Sequence, residues 1–209
     1  MEENKIHVDI GLKPRQFFLK RMLDIILSLL GLILGFLILV VLFFAASIST
    51  KSWGILAQKR IGFNGKTFKL FKFKTMRGVN IMANHITTSK DPRITKFGRF
   101  MRKTRLDELP QLWNILIGDM SLVGPRPDVP GYADQLKGDD RIILSVRPGL
   151  TGPASLAFKN EEELLAQKEN PKKYNDEIIW PEKVKINKAY IKNYNLSTDI
   201  KIILQTIFG

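Results

Sequence analysis

Residues 104–127 read TRLDELPQLWNILIGDMSLVGPRP, and the rest of the chain is organised around them. Asp107 and Glu108 are adjacent carboxylates just ahead of Pro110, a residue without a backbone donor that is tolerated in the first turn of a helix and not in its interior. The pair is therefore expected at a helix start. Leu109, Leu112, Trp113 and Leu116 recur at helical spacing and Gly118 supplies a stop, so a buried face would hold the acids in place. Free N–H groups at that end favour negative charge, which keeps both acids ionised and suits them to act as nucleophile or hard-metal ligand. Ordinary capping of a surface helix uses the same residue types. Further on, Pro125-Arg126-Pro127 sets a guanidinium between two residues of fixed φ. That pre-aims a fork suited to phosphate or carboxylate, with a structural ion pair to Asp119 or Asp128 as the competing use.

The chain of 209 residues accommodates one domain with a real core and an attached segment. Its 33 Lys and Arg against 20 Asp and Glu give a formal net charge of +13, which implies an anionic partner: nucleic acid, a phosphorylated substrate or an anionic membrane surface. The absence of cysteine excludes disulfides and thiolate metal sites. With only His7 and His85 present, zinc and histidine-triad chemistry lack ligands. Any catalytic metal is expected to be a hard cation held by carboxylates and substrate phosphate.

Residues 1–21 are polar and end in LKPRQFFLKR, where Phe17, Phe18 and Leu19 are expected to dip into headgroups while Lys13, Arg15, Lys20 and Arg21 meet lipid phosphates. Residues 25–49, IILSLLGLILGFLILVVLFFAASIS, carry no charge and as a helix would extend roughly 37 Å, enough to cross a bilayer core. The run is too long for a signal peptide and no small-x-small cleavage site closes it. Lys20 and Arg21 precede it while Lys51, Lys59 and Arg60 follow, so charge asymmetry assigns no direction. The chain thus divides into an interfacial segment, 1–21, a membrane helix, 22–50, and a domain, 51–209.

In that domain Asn64-Gly65 predicts a two-residue hairpin turn before the strand TFKLFKFKTM. A slip in alternation between Leu70 and Phe71 predicts a bulge. Lysine interleaved with phenylalanine is also the pattern of a single-strand nucleic-acid platform. Residues 78–93, with His85, read as a loop. Residues 94–104 form a basic amphipathic helix, with Ile94, Phe97, Phe100 and Met101 opposite Lys96, Arg99, Arg102 and Lys103. RPGLTG at 147–152 predicts a tight loop, and Glu161, Glu162 and Glu163 a solvated helix start. A helix is expected from Pro181, and Ser197 is expected to cap a last one. The fold class is α+β: a mostly helical, membrane-associated domain with a small β-hairpin, anchored by one N-terminal hydrophobic helix.

The runs GRFMRKTRLDELPQLWNILIGDMSLVGPRP (98–127), QKRIGFNGKTFKLFKFKTMR (58–77) and VRPGLTG (146–152), and more loosely KRMLDIILSLLG near the N-terminus, resemble the bacterial sugar transferases that act as monotopic polyprenyl-phosphate phosphoglycosyl transferases. The resemblance implies transfer of a phosphosugar from a UDP-sugar to polyprenyl (undecaprenyl) phosphate, with release of UMP, as the first membrane step of glycan, exopolysaccharide or lipopolysaccharide assembly. It implies Asp107 as nucleophile and Mg²⁺ ligand and Glu108 as the residue that orients or deprotonates. Arg126 between Pro125 and Pro127, with Arg102, Lys74, Arg77 and Arg147, would grip phosphate or carrier. The implied partners are the two substrates and membrane lipids, with no nucleic acid, and the implied place is the cytoplasmic face of the bacterial inner membrane. Two features depart from the family. Its helix is broken near the middle by a Ser-Pro pair where this chain has Phe36-Leu37, so re-entrant and spanning helices both stay open. The residues after RPGLTG, Pro153-Ala154-Ser155-Leu156-Ala157-Phe158, differ and bear on the sugar pocket. Two other classes compete. A membrane-tethered nucleic-acid or anion-binding protein explains the charge but gives LDELP and PRP no role, and an Asp-dependent phosphohydrolase shares the phospho-aspartate chemistry.

Overall fold

The computed structural model describes residues 12–78 and 91–209; His7, His85, most of the 78–93 loop and the first eleven residues of the interfacial segment lie outside them. Helix α1 (Pro14–Thr50) runs unbroken for 37 residues, about 55 Å at 1.5 Å per residue. Pro14 occupies its first turn, and the Gln16 side chain accepts from the Lys13 backbone N–H at 2.8 Å. The helix passes straight through Phe36-Leu37 and through the division drawn at 21/22, and ends where Lys51 turns left-handed (φ 53°). Gly31 introduces no kink; the Leu112 side chain packs over it.

Both ends of α1 rest on one domain. Near its start, buried Lys20 donates to Asp199 (2.6 Å), which also accepts from Tyr190 (2.5 Å) and Tyr194 (3.1 Å). Arg21 donates to the carbonyls of Ile115 and Leu116. These two cations therefore face the protein, which corrects their expected place at lipid phosphates; exposed Lys13, Arg15, Phe18 and Leu19 keep the expected outward position. At the far end Leu42 and Ala46 are buried with Phe73 and Met101, and Ser49 bonds Thr95 at 2.8 Å. Between these anchorages Ile33, Leu34, Phe36 and Leu37 are each more than 60% exposed, so the outer apolar face has no protein partner among the described residues. α1 is the one helix there long and apolar enough to cross a membrane.

Strands β1 (Ile55–Ile61) and β2 (Thr67–Phe73) pair antiparallel in unbroken register, from Ile55 opposite Phe73 to Ile61 opposite Thr67. The expected bulge is absent because both faces of this ribbon are covered. Leu70 packs with Ile115 and Met120 on one face and Phe73 with Leu42 and Met101 on the other, so the change in sequence alternation marks a change of covered face. The expected two-residue turn is a longer connection over 62–66, with Asn64 and Gly65 both at positive φ and Gly62 donating to the Lys66 carbonyl. With Phe73 fully buried and Phe68 and Phe71 half-buried, the lysine–phenylalanine run offers no stacking platform.

Helix α2 (Lys96–Lys103) is capped by Thr95, whose hydroxyl accepts from Gly98 N–H, and buries Met101 while Phe100 stays half exposed. Helix α3 (Gln111–Ile117) stops at Gly118 (φ 96°), as its sequence predicts. Beyond it β3 (Ser121–Val123) pairs in parallel with β4 (Gly149–Thr151), so part of RPGLTG is a strand and not a tight loop. Interstrand contact is close here: a Cβ on Gly149 would stand 2.1 Å from the Gly124 nitrogen, and one on Gly152 2.2 Å from the Gly124 oxygen. Helices α4 (Pro153–Ala157), α5 (Glu161–Ala166) and α6 (Pro171–Tyr174) follow, then a π-type turn at Asn175–Ile179. Helix α7 (Trp180–Lys192) has Pro181 in its first turn, and α8 (Leu196–Phe208) is capped by Asn195 in place of the expected Ser197. The main core joins Val123, Ile143, Val146, Val184, Ile191 and Ile202.

Removing one member of a buried ion pair leaves the other charge uncompensated. Lys20→Met is expected to lower stability by about 3 kcal/mol, read as an earlier denaturation midpoint of the detergent-solubilised protein; an unchanged midpoint would show that Asp199 needs only its two tyrosines.

Candidate active site

Asp107 and Glu108 lie in a single 3₁₀ turn (Leu106–Glu108), not in the first turn of α3, and Pro110 serves as the cap of that helix. The reason is Arg105, whose left-handed backbone (φ 56°) breaks the chain out of α2. Leu106 and Leu109 then turn inward against Phe73 and Met101, which fixes the turn and the acids on it.

The two acids have opposite surroundings. Glu108 is nearly covered and receives the Arg126 guanidinium in a direct ion pair. Burial opposes its ionisation, but the charge and hydrogen bond of Arg126 outweigh that and hold it below the usual glutamate range. Arg126 is half exposed while Pro125 and Pro127 beside it are buried, so a rigid backbone presents a guanidinium that Glu108 holds in place. Asp107, by contrast, has no hydrogen-bond donor among the described residues. Burial, with the charge of Glu108 next, pushes its carboxyl up to about 6; Lys72, Arg102 and Arg126 pull the other way. Above that value it is an ionised carboxylate with free lone pairs.

Lys72 was not among the residues that the sequence singled out, yet it is the cation acting most strongly on Asp107. It follows Leu70 by two residues and so shares its face of β2. Leu70 packs on α3 and Phe73 on Leu106 and Leu109 of the acid-bearing turn, so Lys72 stands on the stretch of β2 between those two contacts. Burial, then Arg60, presses the Lys72 ammonium down to about 8. Arg60 stands behind Arg126 and is itself lowered to about 10, chiefly by burial. Its Nη groups bond the Pro127 carbonyl and Gln58, and its buried Nε has no partner among the described residues. Asp128, buried beside Lys183, Arg60 and Arg126, is pushed up to about 7 by that burial. Arg102 reaches the site from α2 and is paired with Glu162 of α5; Glu161 pairs with Lys183 at 2.5 Å. These two glutamates are thus engaged, not merely solvated.

The structure therefore brings together Asp107, Glu108, Arg126 and Arg102, framed by Pro125 and Pro127. It engages the side chains of Arg77 and Arg147 with other partners. Lys74 lies past the end of β2, where its backbone N–H donates to the Gly54 carbonyl. Arg77 donates to the Ser49 carbonyl at the end of α1. Arg147 bonds the Gly118 carbonyl at 2.8 Å and stacks over Phe17, so it fastens the start of α1. Among the described residues no cluster of three His, Asp or Glu exists to cage a metal.

The family model described as bacterial sugar transferase matches residues 15–209. The chain belongs to the bacterial sugar transferase family. Its relatives include the UDP-glucose:undecaprenyl-phosphate glucose-1-phosphate transferase of Klebsiella pneumoniae, 36% identical over 90% of this chain and 39% of the relative. The undecaprenyl-phosphate galactose phosphotransferase of Salmonella typhimurium is 34% identical over 90% of this chain and 40% of the relative. The exopolysaccharide production protein ExoY of Sinorhizobium fredii is 31% identical over 94% and 87% of the two chains. This sugar transferase spans about 40% of the length of the first relatives it matches.

Because Lys72 lowers and Glu108 raises the Asp107 value, Lys72→Met is expected to move it above about 6 and Glu108→Gln to move it below. Carboxyl ¹³C shifts followed through a pH titration measure this, and shifts in the reverse sense would contradict the arrangement described.

Proposed function

We propose that this sugar transferase moves a sugar phosphate from a UDP-sugar to polyprenyl phosphate, beginning glycan assembly on the cytoplasmic face of the bacterial inner membrane. The observation that carries the proposal is the contrast within the acid pair: Glu108 is tied to Arg126, whereas Asp107 has no donor among the described residues and lies near Lys72, Arg102 and Arg126. Two relatives are named for transfer of glucose or galactose phosphate to undecaprenyl phosphate, which supports the same substrate classes here. The exposed apolar face of α1 supports work at a bilayer.

An Asp107 oxygen attacks the sugar-proximal phosphorus. The bond from that phosphorus to the bridging oxygen breaks, UMP leaves with the electron pair, and an acyl phosphosugar remains on the enzyme. A phosphate oxygen of the polyprenyl carrier next attacks the same phosphorus, the bond to Asp107 breaks, and the carboxylate is restored. Arg102 and Arg126 already hold carboxylates, and phosphate oxygens suit the same forks. Lys72 and the two arginines stabilise charge that grows on the phosphoryl oxygens, while Glu108 keeps Arg126 aimed and orients the incoming carrier phosphate. The donor set fits Mg²⁺ held by one protein carboxylate, Asp107, together with substrate phosphate oxygens. When bound, the ion neutralises diphosphate charge.

The test is a panel of UDP-sugars with polyprenyl phosphate and Mg²⁺ in detergent, scored by UMP formation. Asp107→Asn is expected to abolish UMP release, and Arg126→Ala to raise the KM for the UDP-sugar. Normal turnover by Asp107→Asn, or UDP as product, would overturn the proposal, and sugar phosphate released without a lipid acceptor would make the protein a phosphohydrolase. The profile of kcat/KM for the UDP-sugar is expected to rise through about pH 6 as Asp107 loses its proton and to fall beyond about pH 8 as Lys72 loses its charge. Lys72→Met should remove the falling limb.

A further inference from the structure

Asp24 is a carboxylate only 2% exposed, on the helix that otherwise supplies the apolar face. It accepts from the Ser121 hydroxyl at 3.0 Å and from the Leu122 backbone N–H at 2.8 Å. Arg21, one turn earlier, holds the Ile115 and Leu116 carbonyls at 2.6 and 2.8 Å. Together they grip the corner between α3 and β3. One arm of that corner runs back to Asp107 and Glu108; the other runs through Gly124 to Arg126.

Burying a carboxylate is expensive where an apolar side chain would fill the same space, so its partners matter. Strand β3 is three residues long and fixed to β4 by two register pairs, Ser121 opposite Gly149 and Val123 opposite Thr151. With so few ladder bonds, a contact from outside the pair adds to what the close approach of Gly149 to Gly124 fixes. The Leu122 N–H points away from β4, and Asp24 takes it as a neighbouring strand would.

We propose that Asp24 is a positioning residue, which holds β3 in register from α1 and so sets where Arg126 stands relative to Asp107. The inference rests on the assignment of Arg126 to substrate phosphate made above. Through this bond the seating of α1 and the geometry of the phosphate clamp become one adjustment.

The experiment measures UDP-sugar KM and kcat for the full chain in detergent. Asp24→Ala is expected to raise KM about tenfold, since small displacements of a positioning group weaken alignment strongly. Asp24→Asn, which keeps an acceptor oxygen for both donors, is expected to stay within about twofold, as is Tyr194→Phe, which loosens α1 where it meets α8. In an Arg126→Ala background Asp24→Ala is expected to add less than about twofold, the non-additivity of residues that act through one another. An unchanged KM in Asp24→Ala, or the full tenfold effect persisting without Arg126, would overturn the proposal. Should Asp24→Ala fail to fold, Ser121→Ala decides in its place: a KM increase of about threefold supports the role and no increase overturns it. Asp107→Asn scored for UMP in parallel separates the two readings, because an error in the proposed function shows there and an error in the positioning role shows in the Arg126 cycle.

Discussion

A carboxylate withdrawn from water stays charged only where nearby cations offset its lost hydration. Asp107 sets that constraint for this fold. Its turn is buried on Phe73 and Met101, so β2 must deliver Lys72, α2 must deliver Arg102, and the loop after β3 must deliver Arg126. Three segments far apart in sequence converge because one acid needs them. Glu108 stands differently: one of its oxygens is engaged by Arg126, and that ion pair holds it ionised as the partner of the guanidinium.

What could be read from the sequence was what is encoded locally. Pro110, Gly118 and the PRP triplet announce themselves through backbone restrictions, and the apolar spacing of α2 and α3 needs no distant partner. What escaped depends on register or on contact between segments. Lys72 and Lys74 look alike in sequence, and only the folded chain shows that Lys72 acts on Asp107. RPGLTG contains the residues of a turn, yet glycine there serves the approach of Gly149 and Gly152 to Gly124. Lys20 and Arg21 read as a charged flank of a membrane segment; with Asp24 they point inward because Asp199, the α3 carbonyls and the Leu122 N–H await them.

Those inward bonds change what α1 is. A tether would need one attachment, whereas this helix is fastened at Lys20 to Asp24 and again at Leu42 to Thr50. A continuous helix with both ends on one domain lies along it, so its apolar outer face and the domain's exposed Phe100 and Trp113 belong to one body. Both ends meet the domain with no break at Phe36-Leu37.

A cluster of Arg60, Lys72, Arg102 and Arg126 would repel itself if nothing anionic stood among it. Each cation lowers its neighbour: Arg60 acts on Lys72, and Arg126 acts on both. Without substrate, Glu108 and Glu162 occupy the forks of Arg126 and Arg102, and Glu161 holds Lys183 at their side. The resident carboxylates thus let a cluster of like charges fold together. On the proposed function, an entering phosphate would exchange anion for anion at the arginines, so their charge would never stand uncompensated. The difference falls on Asp107, whose cations remain while its own oxygens are free.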